Sequence, residues 1–458
     1  MIKGITIKYS AIWAGGVIFI LLVDELLMSM NNSEPFSLMP IVFGLLLYCV
    51  LEFLITKRFK PVASQIRKIF VACLIFVMLL NIGILIFGEE PFLFSDDKTY
   101  NEAAKAISQG DDVFTPLIYS GGYYYRFLGF LYRVVGPFTL NGRVFNLFCL
   151  FIITIIGWMI INLNNNSRRG KYFVCLLLFY CPAFVYFSLF EFKDMIFTAI
   201  LFGMLYFCKK SHCHQKMIGK VFSFGLAVFF CYVSWLFRVG VGCVFILFNL
   251  IPLIINQGVK TKKITLTLAL LCVYLISFIT ANFTTFAGLL PEQENRISVK
   301  LIAYSNKRLE SGKKSNLQQY LIMKEPRDIL KAPVSVALIP FAPVSIFDAK
   351  DLVHFLFAQL GFFTLIIYLG LLFAVVKRFK ILKVDYYSVL LPTMICLIIL
   401  TWFNAGNVRH FIFLIPFLIL TVCMSNIDIR KMMFNGFMLT LSLYALYYSL
   451  KLKETMNF

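Results

Sequence analysis

The chain repeatedly runs for the length of a membrane crossing without a charged side chain, as it does from Ile69 to Phe87. A helix needs about 17–25 mostly apolar residues to traverse the hydrocarbon core of a bilayer. Inside that core each backbone N–H and C=O must find its partner within the protein, so only helices and closed barrels can cross. Barrel strands alternate apolar and polar positions, whereas Ile69 to Phe87 and Phe411 to Met424 do not. The expected fold is therefore an all-α polytopic integral membrane protein. Composition points the same way: 60% of the residues are hydrophobic and 14% charged, where a soluble domain carries about 25% charged residues.

The net charge of +20 would suggest a nucleic-acid partner in a soluble protein. Here most Lys and Arg fall in short loops between apolar runs, where the positive-inside bias puts them, so nucleic acid is not expected as a partner. The same bias orients the chain. Lys3 and Lys8 start on the cytoplasmic side, a first span runs to about Met30, and Pro40 opens a second that returns to Lys57, Arg58, Lys60, Arg67 and Lys68. Ile69 to Phe87 leads out into a first long loop, residues 88–142. Later crossings include Tyr172 to Phe190 outward, Met195 to Phe207 inward and Val221 to Phe237 outward, and Ile264 to Phe283 leads into a second long loop, 284–351. The chain thus reads as one transmembrane domain, 1–458, of about thirteen spans (about eleven to fourteen), with both long loops extracytoplasmic.

The sequence holds 12 cysteines, none of them in either long loop; disulfides need an oxidising compartment, so none is expected. Cys213, between His212 and His214, lacks further nearby ligands and reads as part of a solvated turn. The first apolar run has no small-residue cleavage pattern after it and reads as a retained helix.

Chemistry is sought where charge sits near the outer ends of spans. Ser95-Asp96-Asp97-Lys98-Thr99-Tyr100-Asn101-Glu102-Ala103-Ala104, closing at Gly110, begins shortly after the third span. From Asp97 the spacing to Tyr100, Ala103, Ala104 and Ile107 follows one helical face. Asp96 and Asp97 at the start of such a helix can take a proton from a hydroxyl or hold a divalent cation. Alternatively Asp96 is an N-cap, with Thr99 and Glu102 offering a capping box. A second aromatic segment, from Tyr119 through Tyr123, Tyr124 and Tyr125 to Tyr132, is expected as a helix lying at the membrane surface.

Glu191, Lys193 and Asp194 share a very short outer turn, Arg238 stands between two apolar runs, and Arg409 and His410 open a later span. Charge at membrane depth is costly and usually faces a polar cavity or a partner. Guanidinium groups suit phosphate oxygens because they offer paired donors. Lys193 is equally accounted for by snorkelling to headgroups. Arg238, with no neighbouring charge in sequence, reads as functional. Asp24 and Glu25, near the outer end of the first span, are weaker candidates for a proton relay.

The acidic Asp96-Asp97 loop with Tyr100 and Gly110, the aromatic segment after it, and Gly142-Arg143-Val144-Phe145-Asn146 opening the next span resemble the GT-C glycosyltransferases. The stretch Pro182 to Phe187, Lys193-Asp194 and the Arg409 to Pro416 segment are similar to bacterial members of surface-polysaccharide assembly, including O-antigen and capsule repeat-unit polymerases. The pattern departs from many GT-C enzymes in placing three spans before the acidic loop and in lacking a large soluble C-terminal domain. The resemblance implies a GT-C-like enzyme of the bacterial inner membrane, N-terminus cytoplasmic. It would take a sugar or repeat unit from a polyprenyl-phosphate or polyprenyl-pyrophosphate carrier and pass it to a glycan or lipid-linked acceptor. Asp96 and Asp97 would then be catalytic, and Tyr100, Lys193, Asp194, Arg238, Arg409 and His410 would bind substrate. No cofactor is required, although a divalent cation, held by Asp96 and Asp97, is compatible. Further partners are the bilayer and other polysaccharide-assembly proteins. A transporter or flippase for a lipid-linked oligosaccharide, or a non-catalytic assembly partner, are the competing expectations.

Overall fold

A computed structural model describes residues 2–32, 34–59, 63–87, 92, 95–111, 122–163, 167–238, 241–254, 352–378, 388–397, 412–425 and 427–456. The second long loop, Arg409 and His410 lie outside the described residues, as does the side chain of Asp96. The described residues contain helices and their connections and no strand. Among the described residues four helices are long and apolar enough to cross a membrane by length and composition: Met39–Arg58, Ala63–Phe87, Thr139–Asn162 and Met217–Phe237. The chain is an α-helical, multi-pass membrane protein.

It divides into two compact units, Met1–Gly242 with Ser345–Thr364, and Cys243–Val344 with Leu365–Phe458. The first unit holds α1 (Ile2–Asn32), α2 (Met39–Arg58), α3 (Ala63–Phe87), α4 (Ser95–Gln109), α5 (Gly122–Val135), α6 (Thr139–Asn162), α7 (Ser167–Leu178), α8 (Pro182–Phe187), α9 (Lys193–Cys213) and α10 (Met217–Phe237). Then come α11 (Val241–Ile254), α12 (Leu352–Arg378), α13 (Ser388–Leu397), α14 (Ile415–Met424) and α15 (Ile429–Met456). Within the second unit α12 and α15 meet through Gly370 and Gly436. A Cβ on Gly436 would lie 2.0 Å from the Ile366 carbonyl oxygen and 2.9 Å from the Gly370 nitrogen, so the helix backbones touch as small-residue crossings in membranes allow.

In the first unit, α6 is the central post. It packs against α2, α7 and α9 and buries most of its length, from Thr139 to Ile161. Aromatic contacts fasten the end away from the acidic helix: Phe59 meets Trp158 at 4.7 Å and Phe70 meets Phe151 at 4.8 Å between ring centroids. By contrast α10 leaves Met217, Ile218, Phe222, Phe229 and Tyr232 exposed, an apolar face suited to lipid.

Two features of the chain differ from the plain zigzag. The outward run from Tyr172 to Phe190 is not one helix: α7 stops at Leu178, Cys181 takes a non-helical φ of −121° and ψ of 58°, and α8 restarts at Pro182. Proline has no N–H and its ring clashes with the preceding turn, so it opens a helix more easily than it continues one. The acidic helix α4 starts at Ser95. Asp96 and Asp97 are therefore inside its first turn, and Asp96 is not its N-cap.

Helix α4 ends where expected, at Gly110 (φ 100°). The Gly110 N–H donates to the Ile107 carbonyl at 3.2 Å and the Asp111 N–H to that of Ala106 at 3.1 Å, the paired bonds of a Schellman ending. Helix α5 closes on Gly136 (φ 94°), whose N–H donates to the Tyr132 carbonyl at 2.8 Å. Both turns need the left-handed backbone that glycine adopts without a Cβ penalty. They fix the hairpin of α4 and α5 that carries half of the site.

Candidate functional site

The buried face of α4 is Asp97, Tyr100, Asn101 and Ala104, a spacing of three and four residues that keeps them in one stripe. That stripe packs on α5, whose Tyr124, Tyr125, Leu128 and Tyr132 are buried while Tyr123, Phe130 and Val134 stay exposed. Tyr100 contacts Tyr124 and Tyr125 with ring centroids 5.2 and 5.1 Å apart. The tyrosine cluster is thus divided: Tyr124 and Tyr125 build the hairpin, and Tyr123 faces outward.

Behind the hairpin stands the start of α6. Thr139, Asn141, Arg143 and Asn146 are all buried there. Asn146 Nδ2 donates to the carbonyls of Phe190 and Phe192, the latter at 3.3 Å, which pins the turn between α8 and α9. That turn carries Glu191, fully buried. Tyr132 Oη lies 3.3 Å from Glu191 Oε1 and donates to Asn101 Oδ1 at 2.9 Å. Asn101 Nδ2 donates to Thr139 Oγ1 at 2.7 Å, and Thr139 Oγ1 donates to Glu34 Oε1 at 2.6 Å. Lys105 closes this network by pairing with Glu34 and donating to Thr139 Oγ1 at 3.1 Å.

Gly142 makes room for the arrangement. A Cβ there would lie 2.8 Å from Glu191 Cγ, 2.9 Å from Tyr132 Oη and 3.0 Å from Glu191 Oε1. Next to it Arg143 donates from Nη1 to Asn81 Oδ1 of α3 at 2.6 Å and lies over the rings of Phe92 and Phe190, 5.9 and 5.6 Å from their centroids. Asp24 of α1 is also fully buried, and Arg143 is the cation that acts on it.

Burial pushes the Glu191 carboxyl up to about 8; Arg143 opposes the rise, while the charge of Asp97 adds to it. Lys105 and Glu34 act more weakly in opposite senses. A carboxyl taken out of water beside a second carboxyl holds its proton at neutral pH. Burial, and then the nearby Glu191, also hold the phenols of Tyr124 and Tyr132 well above their ordinary range, so both hydroxyls remain donors. One Glu191 oxygen, Oε2, is buried with no hydrogen-bond partner among the described residues, as are both carboxylate oxygens of Asp24.

Three residues past Glu191, Asp194 in the first turn of α9 forms an ion pair with Arg238, which follows the last residue of α10. The guanidinium also lies over Phe197, 5.6 Å from its centroid. Arg238 is therefore not a lone cation. The expectation rested on its neighbours in sequence, whereas its partner is 44 residues earlier. Lys193 is buried, with 6% of its surface exposed.

The structure thus brings Asp97, Tyr100, Lys193, Asp194 and Arg238 to the same end of the first unit, the end shared by the start of α4, the start of α9 and the close of α10. It adds Glu34, Asn101, Tyr132, Arg143 and Glu191, which sequence reasoning either passed over or left unassigned. A signal was available for Arg143, an arginine inside an apolar run and as costly there as Arg238. No group of three or more His, Cys, Asp or Glu side chains able to hold a metal occurs among the described residues. The carboxyls of Glu34 and Asp194 pair with ammonium and guanidinium groups. The chain matches no family model, no curated protein and no solved structure.

Proposed function

We propose that this multi-pass membrane protein is a glycosyltransferase of the bacterial inner membrane. It moves a sugar or an oligosaccharide from a polyprenyl-phosphate or polyprenyl-pyrophosphate carrier to a glycan or lipid-linked acceptor in surface-polysaccharide assembly. The observation that carries this reading is the gathering of buried Asp97, Glu191, Asp194 and Arg143 with part-buried Arg238 at one end of a largely apolar helical unit. A lipid-linked sugar phosphate has the complementary build: an apolar tail for the helix faces, an anionic phosphate for guanidinium groups, and a reacting carbon between them.

In this reaction an acceptor hydroxyl gives its proton to one of the clustered carboxylates. Its oxygen bonds to the anomeric carbon as the bond from that carbon to the phosphate oxygen breaks. The leaving phosphate keeps the electron pair, and the Arg238 guanidinium offsets its growing charge. Asp194 holds that guanidinium in place before substrate arrives. Lys193 and Tyr100 line the same end as substrate-binding residues; Arg409 and His410 are assigned to the donor phosphate on the resemblance alone.

Deleting the gene and examining surface glycans tests the reading. A ladder reduced to a single repeat identifies a repeat-unit polymerase, and loss of one sugar identifies a single-residue transferase. Complementation with Arg238→Ala should leave either defect in place. Unchanged glycans in the deletion strain would remove the proposal.

One observation favours a second reading, movement of a lipid-linked oligosaccharide across the membrane. Asp24 lies within α1, fully buried with no hydrogen-bond partner for either oxygen among the described residues, and acids inside spans are common in proton-coupled carriers. Proteoliposomes separate the two, since a carrier translocates the lipid-linked oligosaccharide without forming a glycosidic bond.

A further inference from the structure

We infer that Glu191, and not Asp97, is the carboxylate that takes the proton of the attacking hydroxyl. This assignment rests on the glycosyltransferase reading above. The geometry distinguishes the two oxygens of Glu191. Oε1 lies 3.3 Å from Tyr132 Oη, in space left open because Gly142 carries no Cβ. Oε2 is buried, with no partner among the described residues, and is the atom left to meet a ligand. Glu191 sits in the turn between α8 and α9, fixed from behind by Asn146 through the carbonyls of Phe190 and Phe192.

The charged and titratable groups facing Glu191 come from four directions. They are Glu34 from the segment between α1 and α2, Asp97 and Lys105 from α4, Tyr124 and Tyr132 from α5, and Arg143 from α6. Arg143 makes the ionised form attainable; Asp97 makes it basic. A general base works best when its affinity for the proton lies near the operating pH, and burial beside Asp97 puts Glu191 there. When the acceptor hydroxyl attacks, its proton moves to Glu191 Oε2, its oxygen bonds to the anomeric carbon, and the phosphate leaves with the electrons of the broken bond. Asp97 raises the basicity of Glu191 through space, and Tyr132 is a positioning residue that fixes Oε1.

The test uses the full-length protein in proteoliposomes with a polyprenyl-pyrophosphate-linked sugar as donor. It follows transfer against pH and, in parallel, an infrared difference titration of the carboxyl band. Wild-type transfer should rise with pH and level off above about 8, because the base must be ionised. Glu191→Gln should lower transfer by about 100-fold or more and remove a carboxyl band that titrates near neutrality. Asp97→Asn should shift that band to lower pH, since a charge opposing ionisation is gone. Transfer that survives Glu191→Gln would overturn the assignment, and so would a Glu191 band titrating in the ordinary carboxylate range. Other buried carboxyls, Asp24 among them, absorb in the same region, so the band is assigned to Glu191 by its loss in Glu191→Gln, and Glu191→Asp, which keeps a carboxyl, guards against a variant that merely fails to fold. Failure of wild-type protein to form any glycosidic bond would instead overturn the transferase reading, and the assignment with it.

Discussion

The first unit has one ion pair at the Glu52 end and two at the other, Lys105 with Glu34 and Arg238 with Asp194, and the two ends treat charge differently. Away from α4, Arg67 of α3 meets Glu52 of α2 through two nitrogens, Nε at 3.0 Å and Nη2 in a closer contact, while Nη2 also reaches Thr56 Oγ1 at 3.4 Å. Among the described residues neither Glu52 nor Arg67 leaves a buried atom unmatched, although the hydroxyl of neighbouring Tyr48 is buried without a partner. At the other end the acids outnumber what their neighbours satisfy, and Glu191 Oε2 and both oxygens of Asp24 are buried without partners among the described residues. A saturated network stabilises and specifies a fold, whereas an unsaturated one carries a cost that folding alone does not repay. The comparison teaches that the carboxylate at the Glu52 end is fully matched and serves the fold, while those at the Glu191 end keep oxygens to spare for a ligand.

The largest expected effect breaks the Asp194 pair at the Glu191 end. Asp194 and Arg238 have 1% and 11% of their side-chain surfaces exposed, so removing one deprives the other of its ion-pair partner in low dielectric. Asp194→Ala should cost about 3–5 kcal/mol of stability and reduce transfer to background. Adding Arg238→Ala removes the remaining charge of the pair and should restore much of the thermal midpoint without restoring transfer. Recovery of both in the double variant would make this pair structural, like the one at the far end.

Next in size is Gly142→Ala. Its Cβ would press on Glu191 Cγ and Tyr132 Oη at 2.8 and 2.9 Å, and α6 is too closely packed to yield. Overpacking of this kind costs about 1–3 kcal/mol. Displacing the carboxyl should cost more in rate, about tenfold or beyond, because reacting groups must be held within a fraction of an ångström. Gly15→Ala serves as the control, since its Cβ meets nothing within 4 Å; equal losses of transfer from both substitutions would count against the site.

The two ends also differ in how much of them the sequence reveals. Alternating basic loops, the α4 stripe from Asp97 to Ala104 and the helix opened by Lys193-Asp194 are local patterns, readable from spacing. The pairing of Arg238 with Asp194 was within reach too. Helices α9 and α10 have 21 residues each and are joined by a short turn, so an antiparallel hairpin brings the start of one beside the end of the other. In the sequence Glu191 is a charge in a short turn and nothing marks it as a centre. Its importance comes from Tyr132, Asn101, Arg143 and the missing side chain of Gly142, which arrive from α4, α5 and α6. No spacing rule spans such distances. The break between α7 and α8 was hidden by apolar continuity, although Pro182 marked it.

A smaller effect concerns stability against pH. Glu191 is raised from an ordinary 4.5 to about 8 in the folded protein. The folded state therefore holds a proton that the unfolded chain releases, and this contribution is complete below about 4.5. It is lost as pH rises through about 8. The thermal midpoint of the wild type should fall between those values relative to Glu191→Gln, and the difference should be flat outside them. A wild-type curve parallel to that of Glu191→Gln would mean that Glu191 carries no proton at neutral pH and would erase the contrast between the ends.

The smallest effect is expected at the Glu52 end itself. The pair is partly open, with 10% of the Arg67 and 21% of the Glu52 side-chain surface exposed, so water offsets part of what either substitution loses. Arg67→Ala should cost about 1–3 kcal/mol, since an interaction with a charged group is lost where little water can replace it. A double-mutant cycle with Glu52→Ala should return a coupling of about 1 kcal/mol. Transfer measured per folded molecule should stay within about twofold of wild type, because this pair and the acids beside α4 lie at opposite ends of α3 and share no partner. A tenfold loss of transfer from Arg67→Ala at preserved folding would show that the two ends are coupled through α3, in which Arg67 and Asn81, the partner of Arg143, lie on one rigid helix. Saturation of the far pair would then belong to the mechanism as a brace for Arg143.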